Sequence, residues 1–109
     1  MNDPHQSMTV TISREGDTAH IALVGELDLH SAADLAAATT QVLADSPRAI
    51  AIDARGLSFA DSAGLRALLV ARNDAEANGV SLRVSHVSDA LDRLLEMTGL
   101  REALDAPAG

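Results

Sequence analysis

Met8-Thr9-Val10-Thr11-Ile12-Ser13 alternates apolar and polar residues, the period of two that predicts a half-buried strand. Arg14-Glu15-Gly16-Asp17 reads as a turn, because charged residues and glycine interrupt the alternation. Ala19-His20-Ile21-Ala22-Leu23-Val24 is then a second strand, and the short link makes the two an antiparallel hairpin. Gly25-Glu26-Leu27-Asp28-Leu29-His30 leads to a helix. Ser31 is its expected N-cap, with Asp34 three residues later as in a capping box. Leu35, Ala38 and Val42 share one face at helical spacing, and Asp45-Ser46-Pro47 ends the helix. Ala49-Ile50-Ala51-Ile52 is a continuous apolar run between breakers. It predicts a strand covered on both faces.

A loop is expected from Asp53 to Ala60, then a long helix from about Asp61 to Asn78 that stops at Gly79. Val80, Leu82 and Val84 alternate with Ser81, Arg83 and Ser85 to give a fourth strand. Ser88 or Asp89 caps a third helix with Leu91, Leu94 and Leu95 inward and Gly99 at its end; residues 101–104 add one more turn. The order β-β-α-β-α-β-α implies an α/β domain. Its mixed sheet has four strands, or five if a tail adds one, with an antiparallel edge hairpin and three to four helices. Residues 1–7 and 105–109 read as tails around a domain spanning 8–104.

Composition narrows the chemistry. The chain has 109 residues with a formal net charge of −8, and its eight cations are all arginine. Phosphate backbones and anionic membranes repel such a chain, so neither nucleic acid nor a membrane is an expected partner. Without cysteine or lysine there are no disulfides, thiol nucleophiles, cysteine zinc sites or lysine Schiff bases. Phe59 is the one aromatic residue, which disfavours an aromatic cage or a base-stacking platform. No apolar run approaches the ~20 residues that span a bilayer. The start of the chain lacks a basic flank and an apolar stretch, so no secretory signal is expected. The expected place is the cytoplasm, and no cofactor is expected. His5, His20, His30 and His86 are dispersed, which gives no metal motif. The Gly-x-Ser-x-Gly elbow is absent around Ser62, so a hydrolase with His30 as base is disfavoured.

Ligands of open α/β sheets gather at the carboxyl ends of the parallel strands. Gly25-Glu26-Leu27-Asp28 follows the second strand, and Leu57 to Gly64 follow the third. If those strands pair, Asp28 and Ser62 share one rim of the sheet. Ser62 would then sit at a helix start, where unpaired N–H groups tolerate an attached phosphate. Phosphorylation would add a charge of about −1.5 to −2 beside Asp61 and Asp28. Capping alone also explains Ser62 or Asp61, and a solvated turn also explains Glu26 and Asp28. Gly64, early in a helix, costs about 1 kcal/mol relative to alanine, so it points to tight packing on the sheet or to close approach by a partner. Ser62, Arg66, Val70 (or Leu69) and Asn73 form one helix stripe, and Leu65, Leu68 and Ala71 form a deeper one. An arginine beside an apolar residue fits an interface anchor.

Three segments together resemble the STAS domain family, and within it the bacterial anti-sigma factor antagonists. They are Gly25-Glu26-Leu27-Asp28, Leu57-Ser58-Phe59-Ala60-Asp61-Ser62-Ala63-Gly64-Leu65 and Leu94-Leu95-Glu96-Met97-Thr98-Gly99-Leu100, and the likeness covers about 8–104. The resemblance implies a non-enzymatic module that binds an anti-sigma factor serine kinase and frees the sigma factor. It implies phosphorylation at Ser62, release, and resetting by a metal-dependent serine phosphatase. Asp28 resembles the acidic residue beside the acceptor, and Asp61 and Gly64 complete the Asp-Ser-x-Gly motif. Ala63 stands where many members carry a second hydroxyl. The resemblance also admits an accessory subunit of a lipid-transport ABC complex, a stressosome component, or another STAS module that docks without being phosphorylated.

Overall fold

In the computed structural model, which describes residues 8–108, the chain folds as β1 (Thr9–Glu15), β2 (Thr18–Leu27), α1 (Ala32–Leu43), β3 (Ala49–Ala60), α2 (Ser62–Ala77), β4 (Ser81–Val87), α3 (Asp89–Thr98) and a 3₁₀ turn (Glu102–Leu104). The strands lie in the order β1-β2-β3-β4, with β1 antiparallel to β2 and the remaining pairs parallel. Two long crossovers join parallel neighbours, and right-handed crossovers stepping in one direction across a sheet place their helices on one face. The expected mixed sheet is therefore present, with four strands among the described residues. The tail assigned to 1–7 lies outside them. Residues 105–108 follow the last turn, where Arg101 donates to the Pro107 carbonyl at 2.6 Å.

Register fixes which side chains meet. Val10, Ile12, Ile21, Leu23, Ile50, Ile52, Leu82 and Val84 share one sheet face. They form one core with Leu35, Val42, Leu65, Leu68, Leu91, Leu95 and Leu104 from the helical segments. Thr11, His20, Ala22, Val24, Ala51, Asp53 and Arg83 take the opposite face, and none of them belongs to that core. The shortest extent of the molecule is 21 Å, the thickness of one sheet plus one helix layer.

Three expectations need correction. The β3 run 49–52 is covered by helices on one face only. Ala51 is 1% exposed, but it lies outside the core, between its register neighbours His20 and Arg83; a methyl group between two longer side chains is shielded without a second helix layer. The expected loop from Asp53 to Ala60 is strand throughout. Its alternation is broken by bulges, with register shifts at Ala22/Val24 and Gly25/Glu26 against β2 and at Ile52/Asp53 against β4. Gly56, which resembles a breaker, is there because a Cβ would lie 2.8 Å from Val24 Cγ2. Lastly, Ser31 does not cap α1 with its side chain; its hydroxyl points back into the preceding turn, as described below.

Candidate functional site

The carboxyl ends of β2 and β3 form one rim. Leu27 pairs with Ala60, and the Asp61 N–H donates to the Leu27 carbonyl at 3.4 Å. Asp28 and Ser62 each stand one or two residues beyond that pair, so the turn into α1 and the start of α2 are neighbours. Gly25 has φ +117°, a conformation that resists any side chain. It lies at a register shift and turns the strand so that Glu26 and Asp28 arrive at the rim.

The turn holding Asp28 is tied from both directions. Asp28 Oδ1 accepts from the His30 N–H at 2.9 Å and from the Ser31 N–H at 3.1 Å. In return the Asp28 N–H donates to Ser31 Oγ at 3.0 Å, and the Ser31 hydroxyl donates to the Glu26 carbonyl at 2.7 Å. Asp28 therefore ties the turn that precedes α1, through the N–H groups of His30 and Ser31, neither of which belongs to the helix. The Ser31 N–H, then the His30 N–H and the Ser31 hydroxyl, hold the Asp28 carboxyl below the usual carboxylate range. Ser31 is buried, and sequence reasoning saw only a helix cap in it. The signal that was present is its spacing, three residues after an aspartate that ends a strand.

At the start of α2, the Asp61 carboxylate accepts from the Gly64 N–H at 2.9 Å. Asp61 is thus the N-cap, Ser62 the first helical residue and Ala63 the second. The N–H groups of these first two residues have no partner within the helix. Ser62 is exposed, while Asp61 and Ala63 are half-buried. Gly64 is buried, and a Cβ there would fall 2.3 Å from the Leu27 carbonyl oxygen, so the close packing of α2 on β2 requires glycine. Of the two readings of this glycine, packing on the sheet is the one observed. Arg66, Val70 and Asn73 are exposed on the same stripe as Ser62, whereas Leu65, Leu68 and Ala71 are buried.

The other candidate groups lie apart from this rim. His20 meets Glu15 at 3.5 Å, and His86 meets Ser85 at 3.0 Å and Asp53 at 3.9 Å. Arg55 bonds both carboxylate oxygens of Asp53, and this bonding is the main reason the Asp53 carboxyl is held below the usual range. His5 lies outside the described residues. Among the described residues no three His, Asp or Glu side chains form a metal cluster, and no helix is long and apolar enough to cross a membrane.

The family model described as "Mlab, STAS domain" matches residues 10–105. The chain belongs to the STAS family. This STAS domain is 33% identical over 94 residues to the anti-sigma-F factor antagonist RsfB of Mycobacterium tuberculosis, a match covering 86% of this chain and 76% of the relative. It is 31% identical over 85 residues to the anti-sigma-B factor antagonist of Staphylococcus aureus, covering 78% and 79% respectively. Its fold is similar to the crystal structure of an anti-sigma factor antagonist from Mycobacterium paratuberculosis, with a TM-score of 0.81 and 26% identity over 97% of this chain and 89% of the other. The relatives of this STAS domain are thus named as regulators of sigma factors, in keeping with the resemblance carried by the three segments.

Proposed function

We propose that this chain is an anti-sigma factor antagonist that acts as a binding module, not an enzyme. In its unmodified form it docks an anti-sigma factor serine kinase through the rim of Glu26, Asp28, Asp61, Ala63 and Gly64 and through the Arg66–Val70 stripe, and the sigma factor is freed. The kinase then transfers the γ-phosphoryl group of ATP to Ser62 Oγ. The new P–O bond forms as the β–γ bridge breaks, the hydroxyl proton leaves to base or solvent, and ADP departs. The modified rim carries about −1.5 to −2 more charge beside two carboxylates, and the complex separates. A metal-dependent serine phosphatase restores the hydroxyl. These steps place the protein in the cytoplasm with its ATP-dependent partner.

The observation that carries this reading is the exposed Ser62 on the first turn of α2, next to Asp28 and Asp61, whose carboxylates are already held by backbone N–H groups. The test mixes the protein with an anti-sigma factor kinase of its source genome and Mg-ATP. Intact mass should rise by one phosphate, and peptide mapping should place it on Ser62. Ser62→Ala should bind and resist release, and Ser62→Asp should bind poorly. A kinase that binds but leaves Ser62 unmodified refutes the switch.

A second reading is an accessory subunit of a lipid-transport ABC complex. The description of the matched family model favours it, since that description names Mlab. Affinity capture that returns a permease–ATPase complex in place of a kinase would establish this reading over the first.

A further inference from the structure

An apolar groove of 360 Å³ runs between α1 and α2. Its floor is alanine, with Ala32 and Ala36 on one helix and Ala67 and Ala71 on the other. Steps of four keep each pair on one side of its helix. Leu29, 73% exposed, and Val70, 44% exposed, form its lips. Two large apolar side chains left in water beside an apolar trough mark a surface that something covers. The short floor side chains admit another helix within the usual interaxial distance of about 8–10 Å.

The ends of the groove are charged and opposite. Arg66 stands at the Ser62 end, and Asp74 stands eight residues on, about 12 Å along the axis. Neither forms an ion pair among the described residues. We infer that this groove receives one amphipathic helix of the anti-sigma factor kinase, with a carboxylate opposite Arg66 and a base opposite Asp74. The inference rests on the reading above that such a kinase is the partner. A fatty acyl chain would answer one charged end and leave the other unpaired. A second copy would set concave face against concave face and bring together two chains of charge −8. A helix fills the trough, covers both lips and answers both charges.

The test measures calorimetric affinity for each anti-sigma factor kinase of the source genome, purified and presented singly. Leu29→Asp and Ala67→Arg should each weaken binding at least tenfold, while circular dichroism shows the fold unchanged. Arg66→Glu and Asp74→Arg should each weaken it as well, and Met97→Asp, on α3 outside the groove, should not. Groove variants that bind like wild type while Ser62 is still phosphorylated overturn the groove, remove the Arg66–Val70 stripe from the docking surface, and leave docking and phosphorylation at the Ser62 rim standing. A wild-type protein that binds none of the kinases overturns both. A wild-type dimer split by Leu29→Asp makes the occupant a second copy and overturns the kinase helix.

Discussion

Gly64→Ala sets two effects of opposite sign against each other. Alanine is the better helix former by about 1 kcal/mol. Its Cβ, however, would fall 2.3 Å from the Leu27 carbonyl oxygen, 2.8 Å from Leu27 Cγ and 2.9 Å from the Leu27 carbonyl carbon. Two of these three are backbone atoms, held in register with Ala60, so a rotamer change at Leu27 does not relieve the clash. The first turn of α2 must instead move away by roughly 1 Å to reach ordinary contact distance. Overpacking of this kind costs about 1–3 kcal/mol. The same movement loosens the 2.9 Å bond from the Gly64 N–H to Asp61, a cap worth about 1 kcal/mol. The net expectation is a loss of about 2 kcal/mol, or roughly 8–16 °C in Tm for a domain of this size. Urea unfolding followed by far-ultraviolet circular dichroism is the suitable assay, since the chain has no tryptophan or tyrosine. A variant as stable as wild type, or more stable, would show that propensity outweighs the contact and would refute the steric reading.

Ser31→Ala should cost about 1–3 kcal/mol, because it leaves the Asp28 N–H and the Glu26 carbonyl without their shared partner; denaturant midpoints check this. Asp61→Ala should cost about 1 kcal/mol by removing the α2 cap, and it should raise amide exchange at Gly64 by NMR. The Asp28 carboxyl titrates lower in the folded chain than in the unfolded one, so its contribution is complete above the unfolded value of about 4 and is lost as pH falls through the lower folded one. The stability difference between wild type and Asp28→Asn should therefore be constant from about pH 5 to 8 and shrink below about pH 4. A pH-independent difference would show that the carboxylate charge is not what the turn holds.

Elements with an unbroken period were legible in the sequence. β1, β4 and α3 carry their apolar residues at regular steps, and Gly79 and Gly99 end α2 and α3 in left-handed conformations at φ +74° and +71°. The second half of β3 was not legible, because bulges shift its register and place Asp53, Arg55 and Ser58 where a strand face would show alternation. The juxtaposition of Asp28 and Ser62 followed from strand order alone, and the pairing of Leu27 with Ala60 supplies its geometry. The role of Ser31 stayed hidden. A serine before a helix has the same composition whether its hydroxyl points forward to the helix or back to a turn, and only the positions of Glu26 and Asp28 decide between them. The groove was half legible: its α2 wall is a stripe at helical spacing, but nothing local in α1 says which helix it faces.

The Asp61 cap has a consequence for how a mark on Ser62 would be read. Its carboxylate already holds the Gly64 amide, the third N–H of α2, so an incoming anion finds that donor taken and a like charge beside it. A newly attached group would have only the Ser62 and Ala63 N–H groups to turn to, and the repulsion from Asp61 would favour its projecting into water. The message would then be carried as a surface label, legible to whatever docks and equally open to whatever erases it, with the architecture beneath left as it was.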